Sequence, residues 1–386
     1  MILYENRNRN GFAERKPDFY GGRHGGGIRK TDEKADVFVR PLADGGEGTT
    51  QALVQGMGGS FQTITVTGPL KTPVECQYGI LEETHMGVLE MSAAAGLTLI
   101  PEESRNPLTA TTYGVGEMIK DAIGKGCRRF LVGIGGSGTN DGGAGMLQAL
   151  GYELLDKDGK PIPFGAKGLE TLCRIETSHV LPELKECQFL VACDVTNPLC
   201  GERGCSAVYG PQKGADDNMI AQMDQWLSHY GKLAKNQFPD ADPEKPGTGA
   251  AGGLGFAFLI LPNAELKSGI DIVLKETKLE QDLKDADLLI TGEGRLDSQT
   301  AMGKAPIGAA KLAKKYDIPV VALGGSVARD SAVCNESGID ALFPIVRGPV
   351  SLKEAMEPDA AKANLSDTAE QVYRLIQSCR KVRKGL

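Results

Sequence analysis

Unbroken apolar strands that end in glycine-rich loops recur along this chain, and helical patterns separate them. RRFLVGI runs into GGSGTNDGG and then the helical AGMLQALG; FLVACDV (189–195) runs into TNPLCGERG. Later, ADLLITGEG (286–294), KAPIGAAKLAKKY and IPVVALGGS repeat the strand–helix–strand order. Strands apolar on both faces must be covered on both faces, so the pattern predicts an α/β fold built on parallel sheets. The 386 residues allow two domains at ordinary domain size. The character of the chain changes near 285, where the strands become more continuously apolar.

Composition removes several classes of function. No stretch nears the ~20 apolar residues needed to span a bilayer, and the polar N-terminus does not read as a signal peptide. A formal charge of -7 disfavours nucleic-acid and anionic-membrane partners. These features predict a cytoplasmic protein with small-molecule partners, and a homo-oligomer is compatible with them. Nine cysteines without a C-x-x-C pair read as reduced, buried thiols rather than a zinc site or disulfide framework. The four histidines, His24, His85, His179 and His229, fall outside the glycine loops. Glycine is the outlier, with 51 residues clustered in loops; such clusters bring backbone close to a ligand.

Four of these loops carry the chemistry. In Asp44-Gly45-Gly46-Glu47-Gly48-Thr49 the glycines expose N–H groups before a helix, a geometry that holds anions. Gly45 and Gly46 are expected at phosphate. Asp44 and Glu47 would repel a bare phosphate but suit a magnesium ion between them and it. A tight turn capped by Asp44 is the plainer alternative. The run 135–143 reads GGSGTNDGG; Gly135, Gly136, Ser137, Thr139 and Asn140 are expected at phosphate and Asp141 at metal. Asp194, just past a buried strand, suits a metal ligand or a base, or an ordinary turn. Lys213 in GPQKGA is a plausible phosphate contact.

The last loop, 292–300, reads GEGRLDSQT. There Arg295 could grip a carboxylate with two prongs and Asp297 could accept a hydroxyl proton. A surface Arg–Glu pair is the alternative. Together the loops suggest phosphate and a magnesium ion at one kind of site. No G-x-x-x-x-G-K-[ST] occurs, although SQTAMGK (298–304) ends like one, with Lys304 as a phosphate candidate. No G-x-G-x-x-G follows a strand, so a nicotinamide enzyme is a weak rival, and the protein-kinase motifs are missing.

At these loops the sequence resembles the bacterial type 1 glycerate kinase family. The matching runs are VRPLADGGEGTT, TVTGPL, RNPLTATTYGVGE, GIGGSGTNDGGAGMLQALG, VACDVTNPL, GPQKGA, GAAGGLGF, ELKSGIDIV, ITGEGRLDSQT and GKAPIGAA, in family order from about residue 35 onward. The resemblance implies ATP- and magnesium-dependent phosphorylation of D-glycerate, to 2-phosphoglycerate rather than the 3-isomer. It implies Arg295 on the substrate carboxylate, with Glu293 and Ser298 beside it, and Asp297, Arg295 and Asp194 as the catalytic set. It also implies a Rossmann-like domain from both chain ends, 35–65 and 285–386, with a second α/β domain, 66–284, inserted.

Residues 1–34 depart from the family. They lack its opening strand and its Pro-Asp-Ser-Phe-Lys-like loop; Asp18-Phe19 is present without the serine or lysine. The segment shows no apolar period and is expected to be poorly ordered. A shifted reading frame before Ala35, or a replaced N-terminus, would account for the switch. Without that strand the chain is expected to fold poorly or act weakly, which leaves a non-catalytic protein of the same fold as the second functional reading.

Overall fold

The computed structural model describes residues 2–5 and 26–384. Among them are thirteen strands: β1 (Ile2–Glu5), β2 (Asp36–Val39), β3 (Gly59–Thr67), β4 (Pro73–Leu81), β5 (Met86–Glu90), β6 (Arg129–Gly133), β7 (Glu153–Leu155), β8 (Arg174–Glu176), β9 (Gln188–Ala192), β10 (Ala264–Lys267), β11 (Leu288–Leu296), β12 (Val320–Val327) and β13 (Ala341–Pro344). The chain divides into two compact units, Met1–Leu42 with Val273–Leu386, and Ala43–Ile272. The cuts fall at 42/43 and 272/273, not at 65/66 and 284/285. The reason for the first is strand pairing: β3 joins β4 along its whole length and so belongs to the inserted unit.

The unit formed by both chain ends has a five-stranded sheet in the order β13-β12-β11-β1-β2. β11, β12 and β13 are parallel. β1 lies antiparallel between β11 and β2, with Leu3 opposite Leu289 on one side and Phe38 on the other. The sheet is therefore mixed, built on the parallel strands β11–β13. The expectation of poor order is corrected at 2–5 and 26–34; residue 1 and residues 6–25 lie outside the described residues. Four residues at the start form a central strand, and a short helix Gly26–Arg29 packs on the long helix Pro358–Lys384. The packing is close: a Cβ at Gly27 would run into the Ser366 carbonyl. Ile28, Ala35 and Val37 join Leu288, Ile290, Val321 and Tyr373 in one core, and the Tyr373 hydroxyl donates to Asp32 at 3.0 Å. Asp18-Phe19 lies outside the described residues. A four-residue strand has too few residues to show a period, and the edges that capture it are distant in sequence.

The inserted unit carries a six-stranded sheet, β10-β9-β6-β5-β4-β3. β5, β6, β9 and β10 are parallel; β3 and β4 close one side antiparallel. Phe130 of β6 and Phe189 of β9 sit opposite each other, their rings stacked 4.9 Å apart in the core. This burial explains the unbroken apolar runs. The D-G turn at 158–159 forms, but β7 pairs with β8 rather than with the residues just past the turn, which contribute one isolated bridge, Leu155 to Pro161. Parallel strands β5, β6 and β9 end together at Glu90, Gly133 and Ala192. Loops after such ends are where α/β folds hold ligands. No helix among the described residues is long and apolar enough to cross a membrane, and all nine cysteines are free thiols.

Candidate active site

A cavity of about 400 Å³ lies in the inserted unit at these strand ends. Asp44, Gly45 and Gly46 line it, with Gly135, Gly136, Ser137 and Asp194, so parts of three expected loops meet in one place. Asp44 and Asp194 are the charged residues of its lining; Tyr209 and Gln212 add polar groups.

The three loops do different jobs. In the loop after β6, Gly136 has φ +72, a conformation open to glycine. The backbone N–H groups of Gly135, Gly136 and Ser137 donate to no group among the described residues. Three successive N–H groups without an acceptor, on residues that line a cavity, are the makings of an anion cradle. Its far end is locked: Gly138 donates to the Ala95 carbonyl at 2.9 Å, and Leu97 donates to that of Gly136 at 2.9 Å.

The Asp44 loop, by contrast, has spent the N–H groups expected at phosphate. Gly45 donates to the Thr49 hydroxyl at 3.1 Å and Gly46 to Asp44 Oδ1 at 3.1 Å. Glu90, at the end of β5, accepts from Gly48 at 3.2 Å and Thr50 at 2.7 Å, and so caps the helix Thr49–Met57 from outside. Gly45 and Gly46 shape the wall and present Asp44; they are not phosphate donors. Glu47 is exposed and outside the cavity lining, which removes it from the metal set.

Thr139, Asn140 and Asp141 turn inward and are fully buried. Asp141 accepts from the Thr112 N–H at 2.8 Å and hydroxyl at 2.9 Å, and from Gly143 and Gly145 at 3.1 and 3.3 Å. Both oxygens are thus engaged, and Asp141 is a brace rather than a metal ligand. Burial raises its pKa, opposed by these donors. Asn140 donates to Ser206 at 2.8 Å. Lys213 is 1% exposed, and its Nζ donates to the Thr139 carbonyl at 2.6 Å. It therefore holds the cradle from beneath instead of touching phosphate. Burial lowers its pKa to about 8, offset in part by Cys205 and Asp141. Gly252, with φ +66, lies on the same carbonyl, which a Cβ would strike. Ala251 beside it is a non-glycine residue at φ 54 in the cavity wall.

Asp194 accepts from the Gly269 N–H at 3.1 Å. Although the residue is exposed, loss of water around its carboxyl raises the pKa; Ser268 and Gly269 oppose this, and the charges of Asp44 and Asp271 reinforce it. Two like charges close enough to interact favour a shared cation.

The other chemical cluster lies in the unit of both chain ends. The expected loop at 292–296 is the continuation of β11, paired with β12 through Leu296 opposite Val327. Its glycines allow close backbone approach: a Cβ at Gly292 would strike the Leu323 carbonyl. Arg295 is 69% exposed and pairs through Nε with Asp297 at 3.3 Å. Asp297 Oδ1 accepts from Gln299 and Thr300 N–H groups at 3.0 and 3.3 Å. Glu293 accepts from the Thr300 hydroxyl. Ser298 donates to Asp330 at 2.7 Å, and that bond lowers the Asp330 pKa. Lys304 occupies the N-cap position of the helix Ala305–Lys314. Asp330, Glu90, Tyr209, Gln212 and Arg105 were not singled out from the sequence. Arg105 and Gln212 stood in quoted runs, RNPLTATTYGVGE and GPQKGA, and nothing there marked the guanidinium of Arg105 as unpaired.

An α/β fold with an N–H cradle and two carboxylates around one cavity carries a site suited to phosphate and a metal ion. The profile of the glycerate kinase family matches residues 24–377. A glycerate kinase of Bacillus subtilis is 49% identical over 86% of this chain and 87% of its own. The glycerate kinase of Haemophilus influenzae is 45% identical over 91% and 92%, and the glycerate 2-kinase of Escherichia coli 46% over 85% and 86%. A crystal structure of a candidate glycerate kinase 2 from Salmonella typhimurium LT2 superposes with a TM-score of 0.84 at 42% identity, covering 93% of each chain. The chain belongs to the glycerate kinase family.

Proposed function

We propose that this protein is an ATP-dependent glycerate kinase that phosphorylates the 2-hydroxyl of D-glycerate. The observation that carries the reading is the cradle of Gly135, Gly136 and Ser137 in one cavity with Asp44 and Asp194. The cradle receives phosphoryl oxygens. A lining with two carboxylates and no cation repels a bare triphosphate, so the residues fit magnesium, which takes one or two carboxylates plus phosphate oxygens. Asp44 and Asp194 would hold that ion, which would neutralise phosphate charge. In the transfer, the glycerate hydroxyl oxygen bonds to the γ-phosphorus, the bond to the ADP oxygen breaks, and the hydroxyl proton passes to a carboxylate. Asp297, which is ion-paired with Arg295, is assigned as that carboxylate. Glu293 and Ser298 support this cluster, and Lys304 is assigned to ATP phosphate. The 2-position follows the name of the Escherichia coli relative. ATP as phosphate donor fits a cytoplasmic setting.

A coupled ADP assay with D-glycerate and ATP-magnesium tests the reaction, and phosphorus NMR of the product tests the position. Asp44→Asn and Asp194→Asn should each raise the magnesium concentration required for half-maximal rate. No glycerate-dependent ADP release would end the reading; 3-phosphoglycerate would end the choice of position.

A further inference from the structure

Arg105 is a half-buried arginine of the inserted unit whose guanidinium has no partner among the described residues. Its Nε is sealed from solvent and makes no hydrogen bond. Arg128 pairs with Glu186 and Arg174 with Glu176, whereas Arg203, without an ion pair among the described residues, is exposed to water. A sealed, charged N–H without an acceptor costs more than the ~1–3 kcal/mol of a neutral one. Such a group is retained where something outside the chain supplies the acceptor.

Its place in the fold indicates what that is. Arg105 packs on Gly214, where an added Cβ would lie 2.5 Å from the Arg105 carbonyl and 3.0 Å from its Cβ. Gln212, two residues before Gly214, lines the cavity, and so does Leu97, earlier on the segment that leads to Arg105. Arg105 thus lies outside the lining, packed on the segment that brings Gln212 to the cavity wall. The cavity's charged lining is wholly acidic, so an anionic substrate needs a cation from its margin. The cradle already offers N–H groups to phosphate, whereas a planar guanidinium fork matches a planar carboxylate.

We infer that Arg105 binds the carboxylate of the acid substrate and sets selectivity for acids over neutral polyols; the choice of acid rests on the glycerate kinase reading. Arg295, the rival, already shares one edge with Asp297.

The test is steady-state kinetics of wild type, Arg105→Met, Arg105→Lys and Arg295→Met, with glycerate and ATP varied in turn and glycerol as neutral alternative. Wild-type turnover of glycerate tests the kinase reading separately. Arg105→Met should raise the glycerate KM roughly 10- to 100-fold, as expected for a lost charged hydrogen bond. It should leave the ATP KM within about threefold and glycerol turnover unchanged, with Arg105→Lys intermediate. Should Arg105→Met fail to fold, Arg105→Gln and Arg105→Lys carry the same comparison. An unchanged glycerate KM in the Arg105 variants, a rise confined to Arg295→Met, or a rise in the ATP KM alone would overturn the assignment.

Discussion

Replacing Lys213 by methionine separates two forces that nearly cancel. The lysine pKa falls from its ordinary 10.5 to about 8 because the ammonium is buried. A gap of that size corresponds to about 3 kcal/mol spent on keeping the side chain charged inside the protein at neutral pH. Methionine removes this term and fills similar space, but it leaves the Thr139 carbonyl without the donor it has at 2.6 Å. A bare buried carbonyl costs about 1–3 kcal/mol. Lys213→Met should therefore change stability by no more than about 2 kcal/mol at pH 7, while freeing the floor of the cradle. The pH dependence carries a definite sign. Between the folded and unfolded pKa values the unfolded chain binds more protons, so wild-type stability rises with pH in that window. Wild type should gain about 2 kcal/mol on Lys213→Met between pH 7 and pH 10. Cys205, beside the lysine, has its thiol raised to about 11 and stays protonated across the window. The one tryptophan, Trp226, packs on the core of the inserted unit, so urea unfolding followed by its fluorescence reports that unit. Glycerate kinase activity should fall at least tenfold, with the ATP KM raised. A stability difference flat in pH, or a loss above about 4 kcal/mol at pH 7, would refute the account of a buried, costly charge.

Asp141→Ala leaves the Thr112, Gly143 and Gly145 N–H groups bare and should cost about 3–5 kcal/mol by the same fluorescence assay, with Asp141→Asn milder. Glu90→Ala uncaps the helix Thr49–Met57; amide exchange over 44–57 should quicken by roughly 30-fold, matching about 2 kcal/mol, and magnesium dependence should weaken as Asp44 loosens. Leu3→Pro removes a ladder N–H from the centre of β1 and should lower stability by about 3 kcal/mol or more, seen as an earlier thermal transition by circular dichroism.

Local pattern carried the strand–loop–helix order of the inserted unit and the glycine loops after β6 and β9, since apolar runs make buried strands and parallel strands put their following loops on one edge. That the Asp44 loop, which follows the antiparallel β2, joins Gly135–Ser137 and Asp194 at one cavity was decided by the tertiary structure. The role of each loop residue was not legible in the same way. Gly45 and Gly135 look alike in sequence, yet the first N–H is taken by Thr49 and the second is unpaired. Asp141 and Asp194 look alike, yet Thr112, 29 residues away, claims the first. Lys213 reads as a phosphate contact until the Thr139 carbonyl, 74 residues away, accepts its hydrogen bond inside the core. The segment 292–296 reads as a loop until β12 extends its ladder. The residues decide which chemistry the chain carries. Which groups remain open to a ligand depends on burial and on competition for hydrogen bonds, and partners distant in sequence decide both.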